Sequence, residues 1–530
     1  MSLQTRYKDN IKLTDIYIYP DLKILIDNDS ETEITKNSEP ILKNKTPKLS
    51  VFIGEEQTGK TSLCRISFIN KNKLELPLII KSRDIKRSDL SLCLTSFINE
   101  QYSVSPDEFF SLDKEKTAII DDFNEIGLNK KHAEIFINEV CKKFDKVMIT
   151  IDDSYFYDDE LINILADFEK FEILHFGFER RDELIRKWHT LGREEEISDT
   201  ELVNLVDDSA ANLDAIIRRN IVPRKPLYIL MLLQTLESVK PSDFSLTSHG
   251  YCYQLLIQES LKKVKIKPQE IEKYINYLTQ ISYFMHKSNT YELTSAQMDK
   301  FKSDYSKEFL IHSHEDVISK LHQAKILKIT AEKISIRYKY IYYFYIAKYI
   351  AESSDSIEMV GDLLSKMYLE KNANIIIFIT HHTRNEKVIE KIIDTTISIF
   401  DNESPSNLDN KDTEFLKDFI DEIPKIITKE RETVEEERKK QLTNRDESEK
   451  YKKSSLEEDE DDDAYAGDSL KNIAKSIRAI EIIGQVIKNR YSSIPLPQLK
   501  SMSNEAINVG LRFLSFYLKS AEMIKRKRPF

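Results

Sequence analysis

Residues 49–61 constrain this chain more than any other stretch. Leu49-Ser50-Val51-Phe52-Ile53 is an apolar run of strand length, Gly54-Glu55-Glu56-Gln57-Thr58-Gly59-Lys60-Thr61 follows with the spacing GxxxxGKT, and Ser62-Leu63-Cys64 opens a helical pattern. Strand, loop and helix start in that order form a phosphate cradle. Gly54 and Gly59 let successive N–H groups, from Glu55, Glu56, Gln57 and Thr58 onward to Ser62, converge on phosphate oxygens, and the helix adds the positive end of its dipole. The chain holds 10 glycines in 530 residues, so a pair at this spacing with Lys and Thr behind it is not a by-product of composition. Gly54 through Ser62 are read as binding ATP or ADP, with Lys60 reaching the β- and γ-phosphates. The Thr61 hydroxyl is expected to ligate Mg²⁺, a hard cation that prefers oxygen and keeps several waters.

Such a site also needs a carboxylate for the metal and a group to orient water. Lys116-Thr117-Ala118-Ile119-Ile120-Asp121 reads as an apolar strand ending in an acid, and Asp122-Phe123-Asn124-Glu125 follows it. Asp121 is assigned to Mg²⁺, usually through water, and Glu125, with Asp122 second, to water activation. The next strand, Val147–Ile151, runs into Asp152-Asp153-Ser154 and supplies no cation to sense a γ-phosphate. Hydrolysis is therefore expected to be slow. Arg180 and Arg181, after the fifth strand, are alternative sources of that cation.

A net charge of −11 argues against a general nucleic-acid binder. One basic stretch, Lys71, Lys73, Lys81, Arg83, Lys86 and Arg87, keeps DNA open as a disfavoured partner. Four cysteines, Cys64, Cys93, Cys141 and Cys252, lie far apart without metal spacing, which fits a reducing, cytoplasmic setting. No leader is expected from the polar start Met1-Ser2-Leu3-Gln4, and no uncharged apolar window suggests a membrane span.

Apolar strands at 49–53, 76–80, 117–121, 146–151 and 172–176 alternate with helix-length segments, which predicts an α/β domain with a parallel sheet covered by helices on both faces. That domain is assigned to 47–190, after a strand lead-in over 1–46 in which residues 11–18 and 22–26 alternate as two short strands. A small helical domain (191–250), in which Pro226 opens a helix, a winged-helix-like domain (251–354) with a strand pair near Ile326–Ile336, and a helical region (355–428) follow. Glu430 to Lys440 is charged almost throughout and Glu457 to Asp463 is an unbroken acidic run, so 429–468 is expected as an exposed helix grading into a disordered linker. Ile473, Ile477, Ile480, Ile483 and Ile487 mark a helix face in a closing helical unit over 469–530.

The succession GEEQTGKTS, AIIDDFNE, FEILHFGFERRDELIRKW, KPLYILMLLQTL and ISIRYKYIYYFYIAKYIAE resembles a STAND-class P-loop ATPase of the NACHT-like kind found in bacterial defence and innate immunity. The resemblance covers about residues 11–351. It implies that Pro226 contacts the nucleotide base region. It places Tyr338 where relatives often carry a His that touches the β-phosphate. Tyr338 cannot carry that positive charge, and Asn124 stands where an acid is frequent, which leaves the metal more dependent on Asp121.

The function this implies is an ATP-dependent switch, closed with ADP and opened by ATP to oligomerise, in signalling or antiviral defence. Only some 46 residues precede the loop strand, so an effector is expected on another chain, in the C-terminal region, or in a longer protein of which this chain is a piece. The alternatives are a non-hydrolysing nucleotide-bound scaffold for protein partners and a DNA-associated ATPase.

Overall fold

The computed structural model describes residues 7–8, 10–25, 34–43, 46–55, 57–72, 75–86, 90–217, 222–238, 248–330, 333–383, 385–407, 434–450, 468–491 and 494–527. The chain folds into two compact units, Met1–Ser238 with Val434–Lys450, and Val239–Thr433 with Tyr451–Phe530. Among the described residues, no helix is long and apolar enough to cross a membrane.

The first unit is built on one sheet. Its strands are β1 (Asp21–Leu25), β2 (Ile34–Asn37), β3 (Leu49–Ile53), β4 (Leu76–Lys81), β5 (Lys116–Asp121), β6 (Lys146–Ile151) and β7 (Glu169–Ile173), in the order β2-β1-β7-β3-β6-β5-β4. Strands β3 to β7 are mutually parallel, as the alternation predicts, and β1 and β2 add an antiparallel edge beside β7. The lead-in thus extends the sheet. Residues expected as its first strand form instead the short helix α1 (Leu13–Ile16), and only the second half of the alternation pairs. The fifth parallel strand lies at Glu169–Ile173, offset from the expected 172–176: the Leu174 amide still meets Asp21 O of β1, and beyond it Phe176 donates to Arg224 O, outside the sheet.

Both sheet faces are covered, which accounts for strands that are apolar at every position. Val51 and Ile53 point into one core with Ile120, Val147 and Ile149, while Phe52 points into the other with Leu63, Cys64, Ile119 and Met148. Phe52 stacks on Phe171 of β7 at 5.1 Å between ring centroids. Full burial of such a ring contributes about 2–3 kcal/mol, which pins the strand that feeds the loop. The helices of this unit are α2 (Ser38–Lys43), α3 (Lys60–Lys71), α4 (Leu90–Tyr102), α5 (Pro106–Ser111), α6 (Lys130–Lys143), α7 (Asp159–Ile164), α8 (Phe178–Thr190), α9 (Asp199–Ile217) and α10 (Pro226–Ser238). The Val434–Lys450 helix, in the segment expected to start as an exposed helix, packs on α8, while residues 429–433 and 451–467, with the acidic run, lie outside the described residues.

The second unit contains a winged-helix arrangement. Helices Ile271–Lys287, Ser295–Glu308 and His314–Gln323 alternate with β8 (Glu292–Thr294), β9 (Leu327–Ile329) and β10 (Lys333–Ile336), in the antiparallel order β8-β10-β9. The strand pair near 326–336 is where the pattern places it; β8, three residues long, is too short to register as periodicity. Helix Lys339–Glu352 buries its aromatic row, Tyr340 to Tyr345, and Tyr349 stacks on Tyr283 at 3.7 Å. Two long helices, Asp468–Arg490 and Leu496–Lys527, pair with each other, and Arg490 donates to the carbonyls of Thr380 and His381 at the end of helix Glu370–His382. His381 and His382 therefore end a buried helix. Burial lowers His382 to about 3, so it stays neutral.

Candidate functional site

The loop after β3 doubles back on itself. The Thr58 N–H and hydroxyl both donate to Glu55 O, at 3.3 and 2.8 Å, and Gly59 takes φ +99 as the residue before α3. That left-handed conformation strains any residue with a Cβ, so glycine is required there. Lys60 is buried, and its ammonium donates to Gly54 O at 3.0 Å and Glu55 O at 3.3 Å. Asp122 Oδ1 lies 3.6 Å from it. The cation thus sits at the loop mouth, where a phosphate oxygen is a stronger acceptor than a carbonyl. Glu56 lies outside the described residues.

Asp121 comes to the loop across an intervening strand. Because β6 lies between β3 and β5, Asp121 at the end of β5 faces α3 over Thr150 of β6. Its Oδ1 accepts from Thr150 Oγ1 at 3.1 Å, Thr61 Oγ1 at 3.3 Å and Cys64 Sγ at 3.6 Å. Thr61 and Asp121 therefore touch, and an alcohol and a carboxylate oxygen side by side fit the hard-donor set of Mg²⁺. Thr150 serves a second purpose, accepting from Asp122 N at 3.0 Å, which holds Asp122 at φ 50. Burial lifts the Asp122 carboxyl above its ordinary range, and Lys60 opposes that shift. Burial also pushes the Cys64 thiol well up, with the Asp121 carboxylate adding to the effect. Neither Thr150 nor Cys64 was expected at the site: both follow from the strand order.

Glu125 closes a short 3₁₀ turn, Phe123–Glu125, and is exposed. It lines a cavity with Thr61, Asp121, Asp122, Arg65, Lys81 and Arg83, on the open side of the carboxylates. Asn124 does structural work: its Nδ2 donates to Asp152 Oδ2 at 2.9 Å and its Oδ1 accepts from Asp152 N at 3.2 Å. This pair ties the ends of β5 and β6 together. It also turns the Asp152 carboxylate toward an amide.

A third wall comes from the start of α10. Glu55 Oε2 is 2.8 Å from Lys225 Nζ and 3.4 Å from His175 Nε2, and Lys225 is 1% exposed. His175 and Lys225 hold the Glu55 carboxyl far below the usual range. Pro226 follows Lys225 and joins Tyr17, Ile18, Phe176 and Leu230 in an apolar pocket that also touches Thr58, Gly59 and Ser62. Flat apolar walls beside a phosphate loop suit a nucleobase or ribose face. Lys225 escaped sequence reasoning because Lys-Pro carries no spacing signal. Its only clue is a cation preceding a helix start.

The other candidates are distributed as follows. Arg180 pairs with Asp21 at 3.1 Å and with Glu183, and Arg181 pairs with Asp214 at 2.8 Å, so both suspected sensor cations are engaged in ion pairs. Tyr338 belongs to the second unit, where it precedes helix Lys339–Glu352 and stacks on Tyr340 at 6.0 Å. Among the described residues, the basic stretch is divided between the two ends of β4. Lys71 is buried against Glu75 before β4, Lys81 and Arg83 follow at the other end of that strand and line the Asp121 cavity, and Lys73 and Arg87 lie outside the described residues.

Comparison with known proteins matches residues 291–346, from β8 into the aromatic helix, to the family described as "Novel STAND NTPase 4". A comparison with curated sequences finds no match. Among solved structures, a Walker-type ATPase of Pyrococcus abyssi matches at 11% identity and TM-score 0.32, over 58% of this chain and 94% of that one. The Orc1 protein of Aeropyrum pernix in complex with DNA matches at 13% and TM-score 0.33, over 57% and 87%. Domain III of the Thermotoga maritima replication initiation protein DnaA matches at 19% and TM-score 0.24, over 36% and 78%. TM-scores this low carry no inference from those proteins to this one. The resemblance to STAND-class P-loop NTPases rests on two separate regions, the loop with its sheet and residues 291–346.

Proposed function

From the premise of a STAND-class P-loop NTPase fold, we propose that this protein is an ATP-binding, slowly hydrolysing molecular switch that exchanges ADP for ATP and oligomerises on activation, in signalling or antiviral defence. The observation that carries the nucleotide assignment is the convergence of Lys60, Thr61 and Asp121, with Thr61 Oγ1 3.3 Å from Asp121 Oδ1. In this reading Lys60 binds the β- and γ-phosphates and the Gly54–Ser62 amides cradle them. Thr61 and Asp121 hold Mg²⁺, which when bound neutralises phosphate charge. The pocket beside Pro226 takes the base, and Lys225 reports loop occupancy to α10 through Glu55. Turnover is read as slow because the candidate base, Glu125, is exposed and the arginines of α8 are engaged in ion pairs; Arg65 and Arg83 are the arginines that line the cavity with it. A switch needs only that its two states differ in nucleotide affinity.

The decisive experiment measures nucleotide affinity, turnover and mass of the full chain with ADP, ATP and a non-hydrolysable analogue, for the parent, Lys60→Ala and Glu125→Gln. The switch predicts ATP-dependent mass that Lys60→Ala abolishes and Glu125→Gln preserves while turnover stops. Binding without turnover in the parent, at constant mass, favours the scaffold reading. Indifference of all three quantities to nucleotide and to both substitutions refutes the nucleotide assignment itself.

A further inference from the structure

We infer that the Val434–Lys450 helix is a charge-held strap, docked on α8 and α9, that governs how tightly the first unit retains nucleotide. The governing role rests on the nucleotide reading above; the docking does not.

The helix, Val-Glu-Glu-Glu-Arg-Lys-Lys-Gln-Leu-Thr-Asn-Arg-Asp-Glu-Ser-Glu-Lys, has almost no apolar face. Hydrophobic burial therefore cannot be its main attachment. Its contacts are polar and lie on one side. Asp446 accepts from Phe178 N at 2.6 Å and Glu179 N at 3.1 Å, supplying acceptors for first-turn amides of α8 that have no partner within their own helix. Two turns earlier, Arg438 Nη2 meets Asp182 Oδ1 at 2.6 Å, and Nη1 meets Asp207. Arg445 Nη2 lies 3.0 Å from Asp214 Oδ2, and its guanidinium sits 3.7 Å from the Phe178 ring centroid. Residues seven and eight apart share a helix face, so one side of the strap makes all these contacts.

The receiving surface is shaped for the carboxylate. The residue before α8 is Gly177, which offers no side-chain cap, and a Cβ there would meet Asp446 Oδ1 at 2.3 Å and Cγ at 2.7 Å. One of the chain's ten glycines thus stands where any side chain would push the Asp446 carboxylate out of its present position.

The capped turn leads directly into the site. His175, two residues before Gly177, meets Glu55 of the loop, and Phe176 lines the apolar pocket beside Gly59 and Ser62. Fixing the first turn of α8 restrains both. A contact made of ion pairs and capping bonds, with little apolar area, is sensitive to salt and to charge-changing modification. It can release without unfolding a core.

The test uses the full chain, as parent, Asp446→Asn, Arg438→Gln and Gly177→Ala. Amide hydrogen exchange at Phe178 and Glu179 reports docking, and release of a fluorescent ADP analogue reports retention. All three variants are expected to lose protection at those amides. They should release the analogue about fivefold faster, the scale of a lost helix cap, and 0.5 M NaCl should narrow the gap to the parent. Unchanged protection in every variant overturns the docking. Lost protection with release within twofold of the parent overturns the governing role. If the parent binds no analogue, the nucleotide reading fails and the governing role with it, while the exchange data still decide the docking. Gly177→Ala acts sterically and Arg438→Gln electrostatically at the other end of the strap, so misfolding of one variant leaves the others to decide.

Discussion

Lys225 Nζ lies 2.8 Å from Glu55 Oε2, joining the phosphate loop to the residue before Pro226. The lysine is 1% exposed and the carboxylate about half exposed, so the cation has far more to lose if the pair is broken. Glu55→Gln should therefore destabilise the first unit by about 1–3 kcal/mol, the cost of leaving a buried charged donor under-satisfied. Lys225→Met, which removes the buried charge while keeping its volume, should cost less. Denaturant unfolding of both variants checks the order, and equal losses would count against it.

The same pair makes stability depend on acid. The folded Glu55 carboxyl is held below its ordinary 4.5, first by the His175 imidazole 3.4 Å away and then by charge attraction to Lys225, against the opposing effect of burial. Its contribution is complete above the unfolded value and is lost as pH falls from about 4.5 through the lower folded value. The stability gap between the parent and Glu55→Gln should narrow in that acid window. A gap that widens on acidification would contradict the assignment.

Lys60→Ala should weaken ATP and ADP by about 10- to 150-fold, equivalent to losing a charge-assisted bond of about 1.5–3 kcal/mol. Thr61→Ala should act differently. It should weaken nucleotide in the presence of Mg²⁺ and have little effect in EDTA, because the hydroxyl is needed for the metal. Titration calorimetry with and without Mg²⁺ separates the two.

Thr150→Val tests the residue that links both acids. The substitution leaves the Asp122 N–H without its 3.0 Å acceptor and frees Asp121 from a 3.1 Å donor. It should cost about 1–3 kcal/mol of stability and raise the Mg²⁺ concentration needed for nucleotide binding, and Thr150→Ser should restore both. A stability loss without a change in Mg²⁺ dependence would make Thr150 structural only.

The cradle and its first carboxylate were legible because they are local. GxxxxGKT after an apolar run leaves few alternatives, and Asp121 ends a strand whose six residues all read from composition. The winged-helix strands at 326–336 were legible for the same reason. The lead-in was legible only in part: β1 overlaps the expected 22–26, but residues 11–18 alternate like a strand and yet turn helical at Leu13–Ile16, which packs on α3 and α8, and β2 lies in a stretch read as polar. Of the charged 429–468 segment, Val434–Lys450 forms the exposed helix its composition suggests and residues 451–467 lie outside the described residues; its docking was not legible, since like charges predict solvation unless opposite charges wait elsewhere. Here Asp182, Asp207 and Asp214 receive Arg438 and Arg445.

The sequence by itself determined where phosphate chemistry can occur, because backbone curvature, a helix start and a Lys-Thr pair are set by neighbours in the chain. Only the tertiary structure decided which side chains gather around it. The insertion of β6 between β3 and β5 puts Thr150 under Asp121. The return of the chain at Lys225 meets Glu55 across 170 residues, and that of Asp446 meets α8 across 268. Those contacts depend on strand order and on long-range charge pairing, and neither leaves a periodic trace in the residues that make them.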